Sequence, residues 1–571
     1  MKSLLKSSRI RVLVVGVTSA ALLCSTVVMV SSASSATVHK HKAKAPVVKK
    51  IKKVPATVVA TATTPIVLTP PALQGVAALP GPIAAASTPS PSISELSVTP
   101  SSGFIGTPMT IAGAGLPDNT SVQLEWATAN ATWVVGADPS TVNYLGANYT
   151  KINVVLDTVT TSATGGFSVT IDAPQDFGGA HSIYAVVGTT ELSEGSFTTL
   201  RTVTISPISG PVGTPITITY SGLGDTEYTG GASLLYDNHY VGEMMANWTR
   251  GVATATIRAS GAVGAHTIQI GNAISYLYLN VPQSPIPYTN GAVDTFTVTA
   301  DNGPLSPPGS PTYSIDWPAT VTPTLAQITT LNEGGLGVKS TVTATASVSS
   351  GAEGTSVTIN ASGLPANVTT QLEWATVVGN RVNCASTCWA FTTQPLVSAI
   401  TPSADAFSDT ITVPSPALGG WHAIQIVQGT KVVGQVPFYV KESIVGYEAA
   451  GSTTPETSLT VVQGQPFQIH VEGVGWTQLD NTVGVDYDNS YVGYGCGFNS
   501  NGDVVLNLIA TGAPGTHLID LYPMLYSLSP SFADTPYGMV PLLTYAQDDP
   551  GLALGYQLPA MRFAITVVAA P

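Results

Sequence analysis

Four histidines fall in one recurring phrase, as GGAHSIYAV around His181, VGAHTIQIG around His266, GGWHAIQIV around His422 and PGTHLIDLY around His517. Histidine is the usual general base near neutrality, so a repeated histidine invites a catalytic reading. The spacing argues otherwise. Strand alternation puts each of them on the same face as the isoleucine two residues on, pointing inward, and no Ser or Cys nucleophile recurs beside them. His239 and His470 stand in different contexts, too little for a metal site. The acidic run DNTVGVDYDN offers Asp480, Asp486, Asp488 and Asn489 as calcium ligands. Its earlier counterpart keeps only Asp237 and Asn238, without EF-hand spacing, which favours a hairpin turn. HExxH, GxSxG and Gly-rich phosphate loops are absent, and nothing marks a glycosidase-like carboxylate pair. The sequence therefore assigns no catalytic, cofactor-binding or metal residue, and a non-enzyme is expected.

Beyond a leader carrying Cys24, three cysteines remain: Cys384, Cys388 and Cys496. In an oxidising compartment the C-x3-C pair Cys384 and Cys388 is expected to form a small local disulfide. Cys496 aligns with Met245 and is expected to be buried and inert. Tyrosines give the best hint of a ligand surface: Tyr276, Tyr278 and Tyr288 after one histidine strand, Tyr522 and Tyr526 in and after the last, followed by Tyr537, Tyr545 and Tyr556. Such side chains suit sugar stacking and protein interfaces, and equally sandwich edges.

The elements that carry these residues are repeats. VTPSSGFIGTPMTIAGAGLP at Val98 is answered by ISPISGPVGTPITITYSGLG at Ile205, SVSSGAEGTSVTINASGLP near Ser347 and, more weakly, LTVVQGQPFQIHVEGVGW at Leu459. A second level of order distinguishes two types. LEWAT occurs at Leu124 and Leu372, whereas YDNHYVG at Tyr236 returns as YDNSYVG at Tyr487, a constant offset of 251 that runs on to His266 and His517. The order is A1, B1, A2, B2, the product of a duplicated pair. In the A copies Leu124 and Trp126, like Leu372 and Trp374, share an inward face. Gln269, Gln425 and Asp520 fall on the opposite, solvent side of their strands.

Repeats of about 100 residues, with turn signals at short spacing and no convincing amphipathic helix, specify an all-β chain of four tandem sandwiches. Boundaries fall at 94–200, 201–300, 341–441 and 442–571, with a Pro-rich linker over 301–340. Each sandwich is expected to close its own core, like beads on a string. The Asp-Asn of YDNHYVG reads as the tip of a hairpin, since Asn tolerates positive φ.

The phrase ISPISGPVGTPITITYSGLG resembles the opening of IPT/TIG immunoglobulin-like domains, and the G-x-H-x-I phrase is similar to the penultimate strand of bacterial Ig-like repeats. The resemblance spans about 470 residues and is weakest in the fourth copy, which lacks the Pro-Ser-Gly turn. It implies modular surface or extracellular roles in bacteria, as spacer, adhesive or accessory modules, and brings no catalytic residues.

Upstream of the repeats the composition speaks of location. Lys2, Lys6, Arg9 and Arg11 precede an uncharged apolar run over 12–30 and a small-residue stretch, which reads either as a secretory signal (1–36) cleaved after Ala36 or as a retained membrane tether. Cys24 follows Leu22 and Leu23, against lipidation. The segment 37–93 begins with seven lysines between His39 and Lys53, then turns to Pro, Ala, Thr and Val, and is expected to be a disordered, extended linker. Its lysines suit acidic cell-wall polymer or lipid head groups.

Charge excludes one partner class. The chain has 571 residues, 44% hydrophobic and only 9% charged, with 20 basic and 33 acidic side chains; 11 of the bases precede residue 54, so the body is strongly acidic. A body so poor in cations cannot release counterions along a phosphate backbone, and nucleic acid is not expected as a partner. The reading is an extracellular or cell-surface structural or adhesive protein, contacting cell-wall polymer, glycan or other surface proteins and capable of homo-assembly. The alternative is a carbohydrate-binding or carbohydrate-processing accessory protein that uses the Tyr-rich loops.

Overall fold

The computed structural model describes most of residues 94–571, apart from 136–143, 304–312, 319–341, 380–388, 527–538, nearly all of 272–290 and a few single positions. Before 94 it describes the strands Ile66–Val67 and Thr88–Glu95. Each repeat builds a three-stranded sheet facing a larger one. In A1 the strands Ser97–Thr99, Pro108–Gly113 and Phe167–Asp172 face a seven-stranded sheet built around Ser121–Val135, Gly179–Val187 and Thr190–Thr199. B1 and A2 oppose three strands to five, and B2 opposes three to seven. The fold is all-β and immunoglobulin-like.

Local sequence explains the sandwich. In Pro215–Ser221, Ile216, Ile218 and Tyr220 alternate with Thr217 and Thr219, and the apolar set is buried against Leu234, Ile268 and Phe296 of the facing sheet. The outward rows are hydroxyl-rich and bond across strands, as Thr110 with Thr170 (2.9 Å) and Thr358 with Thr410 (3.0 Å). Both YDN phrases form two-residue hairpins with positive φ at both central residues, 47° and 65° at Asp237 and Asn238, 49° and 60° at Asp488 and Asn489. That is the type I′ geometry that matches strand twist.

Segments read as linkers contribute strands. Tyr313–Asp316 pairs antiparallel with Ala560–Val568 of B2, and Thr88–Glu95 runs parallel to Thr190–Thr199 of A1. The beads-on-a-string expectation also requires correction, because the four sandwiches share a core. Trp133 and Val135 of A1, Trp248 and Met245 of B1, Trp421 and Tyr439 of A2, and Leu542, Leu552 and Tyr556 of B2 belong to one buried apolar cluster. Its physical reason is the long A1 hairpin, Ser121–Val135 with Tyr144–Thr160, which extends past its own sandwich, together with residues 539–558 of B2, which pack between the others.

Candidate functional site: the strand histidines and the shared core

All four repeated histidines are buried, and each Nε2 sits 2.7 or 2.8 Å from the carbonyl four residues earlier: Phe177, Ala262, Leu418 and Ala513. The other nitrogen distinguishes the two repeat types. In the A copies Nδ1 faces a carbonyl of the LEWAT strand, Ala127 at 2.8 Å and Ala375 at 3.1 Å, with the ring stacked on Trp126 or Trp374 at 4.3 or 4.6 Å. In the B copies Nδ1 faces the turn aspartate, Asp237 at 2.6 Å and Asp488 at 2.5 Å, and the neighbouring ring is Tyr236 or Tyr487.

Electrostatics follow this geometry. Burial drives His422 down to about 4 against two carbonyl contacts that favour the charged ring, so near neutrality it carries one N–H to share between two carbonyls. At His517 burial pulls the same way, but the hydrogen bond and charge of Asp488 outweigh it and raise the pKa above its ordinary value. The turn aspartates also accept from the strand backbone, Asp237 from Thr267 N (2.8 Å) and Asp488 from Leu518 N (2.9 Å). Each histidine thus fastens one strand to the next hairpin or strand, and both its nitrogens are engaged in doing so.

The shared core is tied by polar contacts from residues 539–558. Asp548 accepts from Trp133 Nε1 of A1 at 2.7 Å and from Trp248 N of B1 at 3.1 Å. Thr544 Oγ1 accepts from Met245 N (3.0 Å), and Leu543 N donates to Glu243 O (2.8 Å). On the A2 side the Tyr439 hydroxyl accepts from Gln557 N (2.8 Å) and donates to Gln557 O (3.2 Å). Asp549 caps the short helix Pro550–Leu554 through Gly551 N at 2.6 Å. Burial pushes both Asp548 and Asp549 up to about 7; the donors to Asp548 offset part of this, and Asp548 adds repulsion at Asp549.

A buried ionic group joins B1 to B2. Arg258 donates to Asp520 Oδ1 (2.5 Å) and to the carbonyl of Phe563 (2.7 Å), while Arg562 lies 3.5 Å from Asp520 Oδ2 and donates to Thr256 O at 3.2 Å. Asn489 donates to Arg258 O (2.7 Å) and Ser260 Oγ (2.9 Å). The expectation that Asp520 and Gln425 face solvent is therefore corrected: each is about 4% exposed or less, because a neighbouring sandwich covers that face.

Several sequence-assigned residues can now be placed. Tyr522, read as a ligand-binding tyrosine, has no exposed surface, and its hydroxyl receives a bond from Arg562 at 3.3 Å. It serves the B1–B2 contact. Tyr545 is likewise buried and donates to Asp316 at 2.9 Å, and Tyr556 lies in the shared core. Tyr526 ends the strand Gly515–Tyr526. Tyr276, Tyr278, Tyr288, Cys384 and Cys388 lie outside the described residues, as do 12–30 and the basic tail. Cys496, expected to be buried, is a free and exposed thiol. Its counterpart Met245 is covered because a B2 segment bridges its strand at Glu243 and Leu542; the strand Ser490–Cys496 has residues exposed at every second position. The acidic run does not converge either: Asp480 accepts from Thr477 N (2.7 Å), Asp486 is buried beside Asp520, and Asp488 serves His517.

No protein-family model and no curated protein matches this sequence. Among solved structures, the tetra-tandem repeat in the extending region of a large adhesion protein aligns at 11% identity over 82% of this chain and 98% of its own, with a TM-score of 0.17. The Escherichia coli adhesin FdeC aligns at 9% identity over 61% of this chain and 96% of its own, TM-score 0.14. The ICAM-5 D1–D4 ectodomain fragment aligns at 10% identity over 83% and 99%, TM-score 0.16. With superpositions this poor, the fold assignment rests on the paired sheets themselves.

Proposed function

We propose that this chain is an exported, non-catalytic structural protein of a cell surface, whose IPT/TIG-like repeats form one tied block that presents several faces to envelope polymer or to neighbouring proteins. The shared core carries this reading. A spacer rod needs modules joined only end to end, whereas Trp133, Trp248, Trp421 and Tyr556 hold all four sandwiches in fixed relation. Fixed faces favour simultaneous weak contacts, since the second contact then forms at a high effective concentration. The leader and lysine tail support export and attachment to an acidic surface. The engaged nitrogens of the four histidines support a structural role for them in place of a base.

The carbohydrate alternative loses Tyr522 to the core and rests on Tyr276, Tyr278, Tyr288 and Tyr526. Protease shaving of intact cells that express the full chain, followed by sedimentation of the purified protein with isolated envelope polymer, tests the proposal. Surface cleavage and saturable co-sedimentation are expected. Retention inside the cell, or turnover of any polymer by the purified protein, would overturn it.

A further inference from the structure

The duplication provides an internal control for one cluster of side chains. At the offset of 251, B1 carries Thr219, Ser221 and Val252 where B2 carries His470, Glu472 and Asp503. The backbone is the same in both: Thr219 pairs with Thr254 as His470 pairs with Val505. The sandwich is therefore built without an imidazole and two carboxyls at these places, and a reason for them must lie elsewhere.

In B2 the ligand atoms of His470, Glu472 and Asp503 all lie within 4.8 Å of one another. His470 Nε2 is 3.9 Å from Asp503 Oδ2, too far for a hydrogen bond, and both Nε2 and Asp503 Oδ1 are buried without a hydrogen-bond partner. On the adjoining strand Ser443–Ala449, Glu448 has a side chain nine-tenths buried, with Oε1 3.9 Å from His470 Nδ1. A carboxylate there would orient a metal-bound imidazole once it moved within hydrogen-bond reach of Nδ1. From A2, Glu353 holds Ala417 N at 3.0 Å through one oxygen while the other is buried without a hydrogen-bond partner. The charges of Glu472 and Asp503 act on Glu353 across the A2–B2 contact. Crowded carboxyls beside a buried, open imidazole nitrogen form a site that a dication relieves.

We propose that His470, Glu472 and Asp503 bind one divalent transition-metal cation, best fitted by zinc(II), where the fourth sandwich meets the third. One nitrogen and two or three carboxylate oxygens suit zinc, with ligand distances of about 2.0–2.2 Å, better than calcium, which takes six to eight oxygens. The ion would lie beside the A2–B2 contact, under the charge of Glu353.

Calorimetric titration of the metal-free full chain with zinc chloride tests this. His39→Ala and His41→Ala are included throughout, because the lysine tail holds imidazoles of its own. One zinc per chain is expected, with a raised melting temperature and no comparable response to calcium. His470→Thr with Glu472→Ser installs the B1 residues, which this sandwich backbone accommodates, and should weaken zinc binding at least tenfold while leaving the far-UV circular dichroism unchanged. Absence of zinc uptake, uptake indifferent to His470→Thr, or calcium binding as tight as zinc would each refute the assignment. Should the double variant misfold, Asp503→Asn alone must show the loss of affinity.

Discussion

The indole nitrogen of Trp133 donates to Asp548 Oδ1 at 2.7 Å, joining the first sandwich to the last across 415 residues of chain. Both side chains are buried, and Asp548 also holds the backbone of Trp248, so one carboxyl group fastens three repeats at a point.

Trp133→Phe keeps most of the apolar packing and removes the donor, leaving a buried acceptor short of one partner at a cost of about 1–3 kcal/mol. The melting midpoint should fall by several degrees, and limited proteolysis should cut between repeats sooner than in the parent. Unchanged stability and an unchanged digestion pattern would show that this bond does not hold the sandwiches together.

Stability should be higher on the acid side of neutrality. Asp480, Asp548 and Asp549 are raised by burial from the ordinary 3.8 to about 7, and burial also raises Glu442 and Asp486 well above their ordinary values. For an acid whose folded value lies above the unfolded one, the stabilising contribution is complete below the unfolded value and is lost as pH rises through the folded one. His517, also raised, acts in the same direction. His422, lowered to about 4, acts oppositely and erodes stability as pH falls below its ordinary 6.5. Melting temperatures measured near pH 5 and near pH 8 should therefore favour pH 5, and Asp548→Asn should narrow the difference.

Asp488→Gly separates turn from contact. Glycine accepts the positive φ of 49°, so the hairpin persists, while the bonds to His517 Nδ1 and Leu518 N disappear. A loss of about 1–3 kcal/mol is expected in chemical denaturation. The His517 titration followed by NMR should move to lower pH, a response that a purely conformational effect would not produce.

Cys496 and its counterpart make a paired test of the burial difference between B2 and B1. In the native chain Cys496 should react with an aromatic disulfide reagent within minutes. A Met245→Cys, Cys496→Ser variant should react only once the protein is unfolded, since Met245 is 4% exposed. Equal rates at the two places would mean that the covering B2 segment is not seated on B1.

Much of each sandwich is legible in the sequence because burial on one face leaves a period of two. His266 with Ile268, Trp126 with Leu124, and the I′ turn of Asp237 and Asn238 all follow from local pattern. The contacts between sandwiches are not legible in that way. Alternation shows that Gln425 and Asp520 lie opposite the core, but a polar row looks the same whether it meets water or Arg258 of another repeat. Tyr522 and Tyr545 mislead for the same reason, since an amphipathic ring suits a wet surface and an inter-repeat seam equally. His470, Glu472 and Asp503 are invisible as a group because 31 positions separate the last two and only the pairing of Pro466–Glu472 with Val504–Ile509 brings them together. The comparison with Thr219, Ser221 and Val252 could have singled them out.

The segment 539–558 is synthesised after the Trp133, Trp248 and Trp421 surfaces that it covers. A nascent chain emerging from its amino end completes the first three sandwiches while Trp133, Trp248 and Trp421 still lack their cover, so an apolar flank stays wet until the final stretch arrives. Ribosome stalling or cleavage ahead of Met539 would leave a species whose β-structure is largely formed yet whose flank is adhesive to chaperones and to its own kind. Quality control of this protein thus turns on whether residues 539–558 reach the flank that Trp133, Trp248 and Trp421 leave open.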